Sequence, residues 1–392
     1  MRRSVSKFSL NHAVDYSDAR MITIELTNIA PTGEAIGRTE DGLVVFVPYA
    51  LPGETAEVEI VHRRKNFARG RLLRTVQTAP DRVTPPCAYF GACGGCQWQH
   101  MAYPAQLRFK TQIVKEQLTR FGKISDAVVH DCIPSPREYN YRNHIQLVSS
   151  PDHRLGFYAE GTHDVVEIQQ CAIADESLNS RLVTGKQPLA YVDLRVSETE
   201  KIGAHSYIVS PQSFFQVNSQ VAPLLVNEVM TALDLQGQED VLDLFCGVGL
   251  FTLPISERAR AVLGVENSKR AIEDARMNLR GRDNMRLLLA DVAYALNHKD
   301  VSRNKWDAIV LDPPRAGLAY EELVGLAKLQ APKVVYVSCD PATLARDLKY
   351  LCANGYALAY AQPLDMFPQT HHVETVAVLS HAESSTTTTT SM

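Results

Sequence analysis

No run of about 18 apolar residues occurs anywhere in the chain, which argues against a membrane-spanning helix. The first twenty residues, MRRSVSKFSLNHAVDYSDAR, also lack the apolar core of roughly 7–15 residues that a signal peptide carries. These absences predict a cytoplasmic protein without membrane association, preceded by a flexible segment over 1–20. Excess positive charge is missing too: 40 Lys and Arg stand against 44 Asp and Glu, so net charge gives no general attraction to a polyanion. In the cytoplasm the eight cysteines are not expected to form a disulfide framework, which leaves metal ligation, thiol chemistry or packing.

What is present falls into successive patterns, and 392 residues are enough for two or three domains. Over 21–79, short β-rich runs such as ITIELTNIA, LVVFVPYALPGE and ARGRLLRTV alternate with turn signals and predict a small barrel of the OB type. Within it, IVHRRKNFARGRLLR (60–74) carries six Arg and Lys and no acid. That stretch is either a solvated strand face or a patch that grips phosphates, with Arg63, Arg64 and Lys65 at its head. APDRVTPP (79–86) reads as a linker. Residues 87–210 mix a helix, YPAQLRFKTQIVKEQLTRF, with strand-like pieces, and 211–381 alternate strand and helix as a doubly wound parallel sheet does. LAYAQPLDMF and HHVETVAVLS read as an antiparallel pair at its end, and 382–392 as a disordered tail.

VLDLFCGVGLFTLPI (241–255) is a strand, a Gly-x-Gly turn and a helix start, and the next strand, AVLGVE, ends on Glu266. In a doubly wound sheet, Gly247 and Gly249 let a ligand approach the backbone while Glu266 accepts hydrogen bonds from ribose hydroxyls. Thr252 stands where a dinucleotide fingerprint has its third glycine. S-adenosylmethionine, with no pyrophosphate to cradle, fits that pattern better than a nicotinamide cofactor.

Asp312 in VLDPPRAGL and Cys339 in KVVYVSCDP end successive strands, so both are expected to face one crevice. Asp340 is placed to cap the following helix and Pro341 to enter its first turn. The helix field is then expected to lower the Cys339 pKa below about 8.5. Carbon 5 of a uracil ring is too electron-poor to attack a methyl group unaided, but addition of a thiolate at C6 makes C5 nucleophilic. A base must afterwards remove the C5 proton. Glu374 in FPQTHHVETVAVL is the preferred candidate, with His371 and His372 available as alternatives or to orient the pyrimidine.

Cys87-x5-Cys93-x2-Cys96, with Cys171 far along the chain, suits either zinc or an iron–sulfur cluster; Cys132, Cys246 and Cys352 are assigned to packing or loops. Taken together, the cysteine pattern, SFFQVN, DLFCGVG, DPPRAG, VSCDP and HHVET occur in the order found in the bacterial RNA uracil-5-methyltransferases, and residues 21–381 resemble that family. The resemblance implies a Rossmann-like class I methyltransferase domain of the α/β class at 211–381. It further implies an N-terminal OB-like barrel of the TRAM type and a central α+β iron–sulfur domain at 87–210. By the same resemblance Cys87, Cys93, Cys96 and Cys171 are ligands of a [4Fe–4S] cluster. Gln216, Phe245, Glu266, Asp291 and Asp312 contact S-adenosylmethionine, and Cys339 and Glu374 are nucleophile and base. Leu250 departs from members with Asn there, so no side-chain hydrogen bond is expected from it.

The expectation is a monomeric RNA methyltransferase, with 23S rRNA favoured over tRNA. Its barrel would hold phosphates, Phe214 or Phe215 would stack on a flipped uridine, and Arg142 would hydrogen-bond it. Methylation of an RNA base amine, or a non-enzymatic iron–sulfur RNA-binding protein, are the rival readings. The first leaves Cys339 and Glu374 without tasks; Glu266 and Asp312 count against the second.

Overall fold

Alternating buried and exposed positions in the first β-rich runs make one face of each strand apolar, and the strands close on that face. The computed structural model describes residues 21–152, 154–182 and 191–381; the segments 1–20 and 382–392, read above as flexible and disordered, lie outside the described residues. Strands β1 (Met21–Ile29), β2 (Ala35–Arg38), β3 (Val44–Val47), β4 (Thr55–Arg63) and β5 (Phe67–Gln77) form a closed barrel in the order β1-β2-β3-β5-β4. Ile24, Leu26, Val45, Val47, Val58 and Ala68 fill its interior. Closure leaves no free edge for a second chain to pair with. The barrel, residues 21–30 and 34–80, is one compact unit; residues 31–33 group with the second, which runs on from Asp81.

The second unit begins with the cysteine-rich segment and α1 (Tyr103–Arg120). A four-stranded sheet follows, built from β6 (His144–Ser149), β7 (Leu155–Tyr158), β8 (Val165–Glu167) and, after the short helix α2 (Glu176–Asn179), β9 (Tyr191–Arg195). A hairpin of β10 (Thr199–Ile202) and β11 (His205–Ile208) leads into the strand–helix alternation. This comprises α3 (Ala222–Leu233), β12 (Asp240–Leu244), α4 (Thr252–Ser256), β13 (Ala261–Glu266), α5 (Lys269–Asn278), β14 (Met285–Leu289), α6 (Val292–Asn297) and α7 (Lys299–Ser302). It continues with β15 (Ala308–Leu311), α8 (Tyr320–Leu329), β16 (Lys333–Ser338), α9 (Pro341–Ala353), β17 (Tyr356–Leu364) and β18 (Glu374–His381).

The resulting sheet has the order β14-β13-β12-β15-β16-β18-β17, parallel throughout except for β18, which pairs antiparallel with β16 and β17. Successive residues of its strands serve opposite faces. Val241, Val310 and Val335 pack with α3, α4 and α5, while Leu242, Ile309 and Val334 pack with α6, α8, α9 and also α1. A helix from the 87–210 segment therefore covers the sheet built by 211–381. Strand order reverses between β12 and β15, and ligands of open α/β sheets bind beyond the strand ends at that point. Because β18 runs against its neighbours, its first residues lie at this same end: Thr375 is the partner of Ser338. Among the described residues no helix is long and apolar enough to cross a membrane.

Candidate functional site

Beyond β12 the chain turns sharply. Phe245 has a φ of 60°, and Gly247 and Gly249 have φ of 55° and 92°. That conformation is ordinary for glycine and costs an aromatic residue on the order of 1–3 kcal/mol, so the surroundings must hold Phe245 in place. They do so through Cys246 N donating to Val265 O at 3.0 Å and Gly249 N donating to Cys246 O at 2.8 Å. Glu266 accepts from Gly247 N at 3.1 Å with one carboxylate oxygen and from Ser268 N at 2.7 Å with the other. Both oxygens are oriented, and each keeps a lone pair for a hydroxyl.

Thr252, in place of the third glycine, donates to Asp243 Oδ2 at 2.5 Å. Burial nonetheless pushes Asp243 up to about 7, against that hydrogen bond and with help from Asp312 and Glu266. Asp291 follows β14 and caps α6, accepting from Ala293 N at 2.9 Å and Tyr294 N at 3.4 Å. Gln216 is buried, its carbonyl accepting from Asn143 Nδ2 at 3.2 Å. Leu250 is buried in the core.

Asp312, Cys339 and Glu374 come together from the ends of β15 and β16 and the start of β18. Asp340 caps α9, accepting from Ala342 N and Thr343 N at 3.0 Å each, and Pro341 is in the first turn. The thiol is a correction to the sequence reading: burial, followed by the Glu374 and Asp312 carboxyls, pushes Cys339 up to about 12, with Arg315 acting in the opposite direction. Burial and the two carboxyls outweigh the helix field, and the Asp340 carboxylate, which takes up N–H groups at that helix start, adds a smaller push in the same direction. Asp312 keeps some accessible surface, yet the protein packed around its carboxyl raises it to about 7. Burial, then Asp312, raises Glu374 well above the usual carboxylate range.

The His371 and His372 rings lie 4.2 Å apart. Burial first, with Arg315 among the lesser causes, lowers them to about 4 and about 3, so both are neutral hydrogen-bonding groups at pH 7. His371 Nδ1 is buried without a hydrogen-bond partner. Sequence reading passed over Arg315, whose Nη2 is 3.4 Å from His372 Nδ1 and whose Nε is 3.6 Å from Asp340 Oδ2. Its position three residues after Asp312, at a strand end, was the available signal. Of the two aromatic candidates, Phe214 is 73% exposed, whereas Phe215 is buried with its ring 5.7 Å from that of Tyr207.

Cys87, Cys93, Cys96 and Cys171 line one cavity of about 230 Å³ together with Tyr89 and Arg142. Asn179 clamps Cys171, donating to its carbonyl at 3.0 Å and accepting from its N–H at 2.8 Å. Gly95 N donates to Cys93 Sγ at 3.4 Å, and the N–H groups of Ile173 and Ala174 act on the Cys171 sulfur. Burial raises Cys93, Cys96 and Cys171 above the ordinary thiol value, Cys96 to about 12. Arg142, considered above for the target base, is on this cavity's wall and donates through Nε to His144 O at 2.9 Å.

Comparison with known proteins separates the readings that the site left open. Residues 184–382 match the family described as tRNA (Uracil-5-)-methyltransferase, and residues 20–73 match the TRAM domain. The 23S rRNA (uracil(1939)-C(5))-methyltransferase RlmD of Shewanella amazonensis is 33% identical, the alignment covering 92% of this chain and 96% of that protein. The chain belongs to this methyltransferase family. It is an S-adenosylmethionine-dependent RNA (uracil-5-)-methyltransferase. An RNA methyltransferase of Gloeobacter violaceus is 31% identical, over 92% of this chain and 96% of its own. The crystal structure of the Pyrococcus abyssi tRNA (uracil-54, C5)-methyltransferase with S-adenosyl-L-homocysteine superposes with a TM-score of 0.70 at 26% identity, covering 91% of this chain and all of that one.

In the methyltransferase's TRAM barrel the basic stretch is less exposed in charge than its sequence implies. Arg71 faces and ion-pairs with Glu59 across the β4–β5 ladder, Arg74 does so with Glu57, and Arg69 bonds Glu34 at 2.8 Å. The acids absent from 60–74 arrive from other parts of the barrel. At the β4–β5 turn Arg63 Nη2 is a looser 3.7 Å from Asp41, and Arg64 Nε donates to His62 at 2.9 Å.

Proposed function

We propose that this enzyme methylates C5 of a uridine in 23S rRNA through a covalent adduct between Cys339 and C6. The observation that carries the mechanism is the convergence of Cys339, Asp312 and Glu374 at the end of the sheet where its switch point opens, beyond β15, β16 and the start of β18. The RNA is argued from relatedness: 33% identity to an enzyme named for 23S rRNA, against 26% to one named for tRNA. Gln216, Phe245, Glu266, Asp291 and Asp312 bind S-adenosylmethionine, which supplies an electrophilic methyl group on a sulfonium cation.

Cys339 loses its proton to solvent by way of the Asp312 carboxylate, which leaves Glu374 unprotonated for the later step, and adds to C6, forming a C–S bond as the C5=C6 pair moves into an enolate. Carbon 5 takes the methyl group, leaving S-adenosylhomocysteine. Glu374 then takes the C5 proton, the C5=C6 bond re-forms, and the C–S bond breaks to return the thiolate. A cation beside three groups with raised pKa values acts in the direction that lowers each of them. Phe214 stacks on the flipped uridine and the β4–β5 turn holds phosphates.

Cys87, Cys93, Cys96 and Cys171 hold a [4Fe–4S] cluster in this reading. Support comes from the shared cavity and from N–H groups aimed at sulfur, which favour thiolate. Among the described residues no three His, Cys, Asp or Glu side chains are arranged as ligands of a single metal ion. The cluster would tie Cys171 to the three cysteines 75 or more residues earlier in the chain.

Two variants test the chemistry. Cys339→Ala should abolish methyl transfer and leave S-adenosylmethionine affinity nearly intact by calorimetric titration. Glu374→Gln should transfer the methyl group and then stall, giving a shifted band of covalent protein–RNA adduct on denaturing gels. Normal turnover by Cys339→Ala would end the covalent mechanism. The RNA is tested by mapping 5-methyluridine in a deletion strain; unchanged 23S rRNA with a missing tRNA modification would reassign the substrate.

A further inference from the structure

α1 is amphipathic, yet its buried face carries Gln106, Lys110 and Gln117 where a sheet-covering helix would ordinarily place apolar side chains. Lys110 Nζ donates to Asp365 Oδ1 at 2.5 Å and to Phe367 O at 3.0 Å, and both members of the ion pair are 0% exposed. One turn earlier, Gln106 donates to Gln369 Oε1 at 2.9 Å and accepts from Gln369 N at 3.0 Å. Gln369 is buried with a φ of 69°, a left-handed conformation that a non-glycine residue keeps only where its surroundings over-determine it.

The segment so held leads into His371, His372 and Glu374. Four consecutive carbonyls of it take donors from separate parts of the chain: Met366 O from Asn218 Nδ2 at 3.4 Å, Phe367 O from Lys110, Pro368 O from the Tyr141 hydroxyl at 3.1 Å, and Gln369 O from Gln97 N and Trp98 N at 3.1 and 3.0 Å. A fully buried ion pair gains little net stability over apolar side chains of the same volume. What Lys110 and Asp365 do provide is one fixed geometry, at the root of the loop that must bring Glu374 against C5.

We propose that Lys110 and Gln106 are positioning residues that set Glu374 for proton removal by clamping the loop 365–369. The inference rests on the covalent mechanism above and concerns its last step alone. Neither residue touches substrate; both act through the loop. Their loss is therefore expected to leave thiol addition and methyl transfer in place and to slow the release of Cys339.

The test uses the full-length enzyme with its RNA and cofactor. Lys110→Met combined with Asp365→Leu removes both charges while keeping volume, so thermal unfolding is expected to show a folded protein at least as stable as the parent. S-adenosylmethionine affinity and KM for RNA should stay near the parent values. Turnover should fall by about 100-fold, the effect expected of a displaced catalytic group, and covalent adduct should accumulate as it does for Glu374→Gln. Gln106→Leu, which leaves the ion pair intact, should accumulate adduct to a smaller extent, and it decides the question if the double variant does not fold. Adduct from Glu374→Gln but none from the folded clamp variants would overturn the clamp and spare the base. No adduct from any of them would remove Glu374 as base and the clamp with it.

Discussion

The Cys339 thiol has carboxyls on two sides and a helix start whose N–H groups are already occupied by Asp340. Its position at a strand end was legible because strand and helix patterns flank it directly in the sequence. Its protonation state was not, since that depends first on burial and then on Glu374 and Asp312, all of which only the folded sheet supplies. A thiol held near 12 reacts slowly at neutral pH because the thiolate is the nucleophile. Alkylation of the free enzyme by iodoacetamide, followed on the Cys339 peptide by mass spectrometry, should accelerate about tenfold per pH unit from pH 7 to beyond pH 10. A plateau below pH 9 would restore the acidified thiol. Arg315 went unread for the same reason: its proximity to His372 and Asp340 is a tertiary fact.

Among the elements, β4 and β5 show how a sequence pattern can overstate a surface. The stretch 60–74 has no acid of its own, but residue pairing across the ladder sets Glu57 and Glu59 opposite Arg74 and Arg71. Exposed pairs of this kind are weak, yet their carboxylates offset part of the local positive charge. Replacing Arg63, Arg64 and Lys65 by Ala should make the logarithmic salt dependence of RNA binding shallower by about two to three units, whereas Arg71→Ala with Arg74→Ala should change it by less than about one. Equal effects in a filter-binding titration would show that the ion pairs open on RNA. For the cysteine element, anaerobically purified protein should contain iron and sulfide at about four each, and Cys96→Ser should lose most of both. Stoichiometric zinc in its place would dismiss the cluster. The helix α1 itself was legible from its sequence; its duty was not, because Lys110 and Asp365 are 255 residues apart.

At the scale of the molecule, the closed barrel and the parallel sheet followed from their periodicities, and so did the antiparallel pairing of β17 with β18. The folded molecule also stores protons. Asp243 and Asp312 titrate at about 7 when folded and near 4 when unfolded, so between those values the native chain binds more protons than the unfolded one. Their contribution to stability is fully present below about pH 4 and is lost as pH rises through about 7. The ligand-free enzyme should therefore melt lower at pH 8 than at pH 5, by on the order of 5 °C. Asp312→Asn should recover part of that difference in a calorimetric scan; an identical pH profile would show that Asp312 ionises normally.

The position of β18 has a consequence for biosynthesis. It is the last strand in sequence among the described residues, yet it lies inside the sheet, between β16 and β17. Until residues 374–381 leave the ribosome, β16 presents an open edge and β17 has no neighbour in that sheet. A nascent chain at that stage already carries Cys339 but not Glu374. Such a chain is adhesive to others and, on the covalent mechanism proposed above, holds the nucleophile without its base. Insertion of one strand ends both conditions at once.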